Sequence, residues 1–232
     1  MKIKYKKIIK YTLISILALF LFVCTFIFVR VFVQYKNVTD ETPVDEKVEN
    51  AKEVNDYVPI NEISDYMKDA IVAVEDHRFY SHFGIDVIAT TRVVIENILS
   101  FSLSAGGSTI TQQVARNFYF SQDKLFSRKV AELLVAFELE SNYEKDKILE
   151  LYLNIIYFGN GQTGIKQAAK YYFDKEPKEL TLEESVYLAG LPQAPSVYSK
   201  NSEKAELRSN QVLDAMVEYK YITTEEAQQA KD

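Results

Sequence analysis

Two carboxylates and a row of cations are the residues of this chain whose types and spacing could do chemistry. Glu75 opens Glu75-Asp76-His77-Arg78-Phe79-Tyr80-Ser81-His82-Phe83-Gly84, and Glu132 closes Arg128-Lys129-Val130-Ala131-Glu132. Between them runs Gly106-Gly107-Ser108-Thr109-Ile110-Thr111-Gln112-Gln113, followed by Arg116 and Lys124. A pair of carboxylates suits acid–base work at a sugar. Cations beside them suit a sugar carrying phosphate, because preorganised positive charge stabilises a leaving group that gains negative charge. Glu75 follows an apolar helical face and precedes Phe79 and Phe83, a setting that favours a general base working near neutrality. The plainer reading of Glu75 is a helix-terminal acid paired with His77 or Arg78. Glu132 has Arg128 at i−4 and Lys129 at i−3 on one helix face, where a simple ion pair is worth only a few tenths of a kcal/mol, about 0.3–0.5.

Gly106 to Thr109 reads as a turn entering a helix over 109–117, whose first amides suit an anion. The spacing of a P-loop is absent. Gln112 and Gln113 are adjacent and point to different faces, so one is expected to reach a sugar or diphosphate oxygen and the other to cap backbone. His77 and His82 are the two histidines, and their i, i+5 spacing is poor for a metal. His82 is expected to orient structure or substrate, and no metal ligand set is assigned. Cys24 is the one cysteine. It lies in an apolar run, which excludes thiol catalysis and a disulfide framework for the rest of the chain.

The elements that must hold these groups are mostly helical. Met67, Ile71 and Val74 share a helical face that ends at Glu75. Val130, Leu133, Leu134 and Phe137 make a second amphipathic helix. Ile148, Leu149, Tyr152, Ile155 and Ile156 make a third, ending near Gly159. Thr181 with Glu184, and Thr223 with Glu226, are capping-box patterns. Leu191-Pro192 and Ala194-Pro195 mark a turn. Seven glycines and five prolines among 232 residues are few for an all-β domain. The apolar stretches Ile98–Leu103 and Phe118–Phe120 flank the glycine-rich segment and serve either as core or as a surface dipping into a membrane.

Residues 11–29 carry no charge, close to the roughly 20 residues needed to cross a bilayer. The apolar run is longer than that of a cleaved signal peptide, so retention as an anchor is expected. Lys2, Lys4, Lys6, Lys7 and Lys10 precede it without an acid, which places the N-terminus in the cytoplasm and the remainder outside. The chain therefore divides into a cytoplasmic tail (1–10), a transmembrane anchor (11–33), an acidic linker (34–56) read as a solvated stalk, and a folded domain (57–232). Residues 1–33 hold none of the 33 acidic residues. The rest is strongly acidic and a poor general binder of nucleic acid.

Together these segments resemble the peptidoglycan glycosyltransferases, glycosyltransferase family 51. Matching blocks fall in the family's order at Glu75–Asp86, Gly106–Asn117, Arg128–Glu140, Ile148–Ala169 and Leu180–Ser199. The resemblance implies a mainly α fold, with a lysozyme-like helical head and a small membrane-proximal jaw. It implies a single-pass protein of the bacterial cell membrane acting on lipid II and the growing glycan strand, with other cell-wall synthesis proteins as possible partners. By the same resemblance Glu75 is the general base that activates the acceptor GlcNAc 4-hydroxyl, and Glu132 is the second acid. Arg116, Lys124, Arg128 and Lys129 face the donor diphosphate, and Ser108, Gln112 and Gln113 line the cleft. His82, Gly107, Thr109, Glu150 and Asn154 support it. A divalent cation, Mg or Mn, near the diphosphate is the one cofactor the resemblance allows. Arg116 stands where lysine is common, and Asp174 where glycine is usual. After the last block no Ser-x-x-Lys appears, so a monofunctional enzyme, or the N-terminal piece of a longer one, is expected. The competing readings are a lysozyme-like glycan hydrolase, which has no diphosphate leaving group to neutralise, and a catalytically silent membrane-tethered scaffold, which need not keep both acids.

Overall fold

The computed structural model describes residues 2–54, 56–100, 107–120 and 126–231. The helices are α1 (Lys2–Glu41), α2 (Val44–Lys52), α3 (Asp65–Glu75), α4 (Val87–Ser100), α5 (Ile110–Tyr119), α6 (Phe126–Asn142), α7 (Lys145–Ile155), α8 (Ile165–Phe173), α9 (Leu182–Gly190), α10 (Pro195–Tyr198), α11 (Ser202–Glu218) and α12 (Thr224–Gln229). Among the described residues the only β pairing is an isolated antiparallel bridge between Tyr157 and Thr163. The mainly α class expected from the periodicity is the one observed.

α1 is the one described helix long and apolar enough to cross a membrane, over Ile9–Glu41. Its apolar side chains from Leu13 to Val29 face outward, as a lipid-facing helix requires. It fits a single-pass anchor.

The segment expected as a solvated acidic linker, 34–56, is instead helical and docked. Val44 and Val48, one helical turn apart, are fully buried in the core, and Ala51 packs against it. Three tyrosine hydroxyls fasten the segment: Tyr35 donates to Glu138 Oε2, Tyr119 to the Thr42 carbonyl and Tyr143 to Asp45 Oδ1, each at 2.7 Å. Composition averaged over the segment hides this narrow apolar stripe, which is all a short docked helix needs.

In the main body α3 packs on α9 and α11, while α5 is held between α6 and α7. The Met67–Ile71 face of α3 is fully buried, and Tyr152 of α7 is among the largest fully buried side chains. Both expected C-terminal capping boxes form, with Thr181 accepting from the Glu184 N–H and Thr223 from the Glu226 N–H. Phe118–Phe120 is core, with Phe120 buried and its two neighbours packed against it, so the membrane-surface reading fails there. The side chains of 98–103 lie outside the described residues. Asp174 takes the left-handed cap of α8 at φ 57°, which accounts for glycine being usual at that site.

α7 ends at Ile155, earlier than expected. The chain then turns through the Tyr157–Thr163 bridge to Gly164, whose N–H donates to the Ile156 carbonyl at 2.9 Å. Gly164 has φ +84° and ψ 152°, and a Cβ there would lie 2.6 Å from the Asn154 carbonyl oxygen. Gly164→Ala therefore adds backbone strain to a clash with main chain. It is expected to cost about 2–5 kcal/mol, read as a lower urea midpoint with unchanged slope.

Glu150 and Asn154 staple the chain entry onto α7. Glu150 accepts from the Tyr57 hydroxyl, the Lys147 ammonium and the Ile60 N–H, the last at 2.8 Å. Asn154 pairs with both the N–H and the carbonyl of Val58, at 2.7 and 2.9 Å. Burial alone would raise the Glu150 carboxyl, but these donors outweigh it and hold it below the usual range. A depressed folded-state pKa contributes stability above the unfolded value and loses it as pH falls through the folded one. Wild type should therefore lose melting temperature below about pH 4, near the ordinary Glu value. Glu150→Gln should melt lower at pH 7 and show a shallower acid slope, measured by melts from neutral to acid pH.

Candidate functional site

A cleft of about 730 Å³ opens between the C-terminal end of α3, one face of α4, the start and one face of α5, and one face of α11. Glu75, Ser108, Gln113 and Arg116 line one side, and Arg208 and Tyr219 the other. Glu75 is the last residue of α3, so the buried Met67–Ile71 face that anchors this helix also fixes where the carboxylate emerges. Its side chain keeps 13 % exposure, enough for a substrate hydroxyl to reach it. Glu75 pairs with neither His77 nor Arg78. Arg78 forks onto both oxygens of Asp86, at 2.9 and 2.7 Å. His77 stacks on Tyr219, with ring centroids 4.2 Å apart. Burial, and then the Arg78 charge, push the His77 imidazole below its ordinary value.

α5 completes the wall that carries Glu75. Thr109 is its N-cap and forms a reciprocal capping box with Gln112, so Gln112 is the backbone-capping member of the glutamine pair. Gln113 points the other way and donates Nε2–H to Glu75 Oε2 at 2.9 Å. Arg116, one turn on, donates to Gln113 Oε1 at 3.4 Å, which turns the amide so that its NH₂ faces the carboxylate. The first amides of α5 are not left for an external anion as expected. The Thr109 N–H is taken by Gln112 and the Ile110 N–H by Asp76 Oδ2, at 3.0 Å each. The Asp76 carboxylate satisfies the second of these donors and complements the helix dipole internally.

Asp76 is thus a structural hub that sequence reasoning left without a role. It also accepts from His82 Nε2, which lies 2.9 and 3.0 Å from its two oxygens. His82 accordingly orients the turn after Glu75 and does not line the cleft. Gly107, at φ +143°, sits 3.3 Å from Val93 of α4 when given a Cβ, so it lets the loop pass close beneath that helix.

Glu132 is 1 % exposed on α6 and accepts from Lys129 Nζ at 3.1 Å. The same ammonium donates to Ser108 Oγ at 2.8 Å. Through Ser108 the Lys129–Glu132 pair meets the cleft wall opposite α11. Lys124 and the side chain of Arg128 lie outside the described residues, and Arg128 falls within the helical span of α6. Glu150 and Asn154 do not line the cleft and act through the chain-entry staple.

Two further residues were missed by sequence reasoning. Tyr152 is completely buried, its hydroxyl has no hydrogen-bond partner among the described residues, and burial together with the nearby Glu75 charge pushes that hydroxyl well above its usual value. Arg208 of α11 faces Glu75 across the cleft. It lies in the buried stripe Ala205, Arg208, Val212, and a charge on an apolar helical face was the available signal.

No group of three or more His, Cys, Asp or Glu side chains able to hold a metal converges among the described residues. Glu132, the acid beside the expected diphosphate position, is engaged by Lys129. A divalent cation near the diphosphate would draw on one or two carboxylates together with the substrate's own phosphate oxygens, not on a cluster of protein ligands.

The family model described as Transglycosylase matches residues 40–217. Penicillin-binding protein 1A of Neisseria lactamica is 47 % identical over 177 residues, covering 75 % of this chain and 22 % of that protein. Penicillin-binding protein 1F of Bacillus subtilis (strain 168) is 47 % identical over 172 residues, covering 73 % and 24 %. The chain thus spans about a quarter of the length of these curated relatives. A solved structure of penicillin-binding protein 1A from Haemophilus influenzae is similar at 26 % identity with a TM-score of 0.46, covering 76 % of this chain and 17 % of that one.

Proposed function

The chain belongs to the transglycosylase family, and from that premise we propose that it is a peptidoglycan glycosyltransferase that polymerises lipid II into β-1,4-linked glycan strands. The observation that carries this reading is Glu75 at a cleft wall, held by Gln113, with Arg116 behind the amide and Lys129 bound to Ser108 on the same wall.

Glu75 takes the proton from the GlcNAc 4-hydroxyl of the acceptor. The freed oxygen attacks C1 of the donor MurNAc from the face opposite the leaving group, inverting α to β. The C1–O bond breaks and its electron pair leaves with undecaprenyl diphosphate. Charge develops on that diphosphate in the transition state, where Arg116 and Lys129, with Lys124 and Arg128 by sequence match, stabilise it. Glu132 fixes the Lys129 ammonium, and that pairing keeps the cation pointed at Ser108 instead of free in solvent.

The N-terminal lysines support a start of α1 in the cytoplasm and a cleft outside, near the leaflet that presents a lipid-linked substrate. The domain limits, a short cytoplasmic tail, the anchor, and a head that begins with the docked helices, belong to the same proposal. Lipid II, the growing strand and the membrane are the partners it requires.

The test is incubation of the detergent-solubilised chain with labelled lipid II. Lysozyme-sensitive polymer supports the reading. Shortening of preformed glycan replaces it with a hydrolase, and a folded protein that binds lipid II without turnover replaces it with a scaffold.

A further inference from the structure

We propose that Arg208 is the positioning residue that sets the Glu75 carboxylate for proton transfer, an inference that rests on Glu75 being the base. Arg208 is 9 % exposed, and its Nη2 lies 3.7 Å from Glu75 Oε1. Its Nη1 donates to Gln211 Oε1 at 3.1 Å, while its Nε is buried with no hydrogen-bond partner among the described residues. A buried guanidinium left short of partners costs stability, so packing alone gives no reason for an arginine here.

The backbone makes room for it. Gly190, at the end of α9, has no Cβ; one placed there would sit 2.9 Å from Arg208 Cγ, near the root of the side chain where a rotation gives little relief. Two helices are thus shaped to bring this guanidinium to Glu75.

The geometry divides the carboxylate's two oxygens. Oε2 is fixed by a hydrogen bond from Gln113. Oε1 faces Arg208 at a distance beyond direct hydrogen bonding. The cation therefore orients and balances the charge while the Oε1 lone pairs stay open to the incoming hydroxyl proton. A short bidentate fork of the kind Arg78 makes with Asp86 would occupy them.

The test compares wild type, Glu75→Gln, Arg208→Met, Arg208→Lys and Gly190→Ala as full chains in detergent, with labelled lipid II. Arg208→Met is expected to lower kcat by about 10²-fold, the size of effect that misplacement of a reacting group by an ångström produces. KM should move by less than about threefold, because the residue acts on the base and not on substrate affinity. Arg208→Lys should recover part of kcat, and Gly190→Ala should lower kcat in the same sense without deleting any cleft atom. Melting curves accompany each variant. The proposal is overturned if Arg208→Met turns over at the wild-type rate, if its loss lies in KM, or if Lys gives no rescue over Met while both melt lower. Should Arg208→Met not fold, Arg208→Lys and Gly190→Ala decide between the same outcomes. An active Glu75→Gln sinks the reading of the base, and this inference with it. An inactive Glu75→Gln beside a fully active Arg208→Met sinks this inference alone.

Discussion

Glu75→Gln is expected to fold and to lose glycan polymerisation by about 10²–10⁴-fold, the usual contribution of a positioned general base. Glutamine matches the carboxylate in shape, and its carbonyl oxygen can still accept the Gln113 Nε2–H that Glu75 Oε2 accepts at 2.9 Å. What the substitution removes is the proton acceptor, together with the charge opposite Arg208. Loss of that charge leaves the guanidinium less compensated, so a modest fall in melting temperature accompanies the loss of turnover. The measurement is a lipid II time course beside a thermal melt. Turnover within about tenfold of wild type would remove Glu75 from the role of base.

The parts of this site that depend on local spacing are legible in the sequence. The Met67–Ile71 stripe predicts a helix ending at Glu75, and α3 ends there. Adjacent glutamines on a helix must point to different faces, and Gln112 caps while Gln113 faces the acid. The i, i+3 spacing of Lys129 and Glu132 predicts their pairing. What composition misjudges is 34–56, where the acidic count outweighs the Val44–Val48 stripe that buries the segment.

The remainder is illegible because it joins elements far apart in sequence. Asp76 caps a helix that begins at Ile110, and nothing near Asp76 announces that partner. Arg208 reaches Glu75 from α11 because α3, α9 and α11 pack together and Gly190 lets it pass. Local pattern fixes helices and the faces they bury, whereas the cross-cleft partners follow only from how those faces dock.

Lys129→Met should separate catalytic from structural use of the second acid. Lys129 Nζ joins Glu132 at 3.1 Å and Ser108 at 2.8 Å, and Glu132 is almost wholly buried. If the lysine stabilises the departing diphosphate, its removal should lower kcat by about 10²–10³-fold, as loss of a preorganised donor does elsewhere. It also removes one partner of the buried carboxylate, which costs stability on its own account. Because the Lys129 side chain is 42 % exposed, solvent screens part of that cost, and turnover should suffer more than melting temperature. The double variant Lys129→Met with Glu132→Gln tells the two apart, since it removes the carboxylate charge together with the cation. Recovery of the melting temperature without recovery of turnover assigns Lys129 to the chemistry. A large fall in melting temperature with wild-type turnover in Lys129→Met would make the pair a structural tie between α6 and the Ser108 loop, and would leave the leaving group to Arg116 and the cations upstream of Lys129.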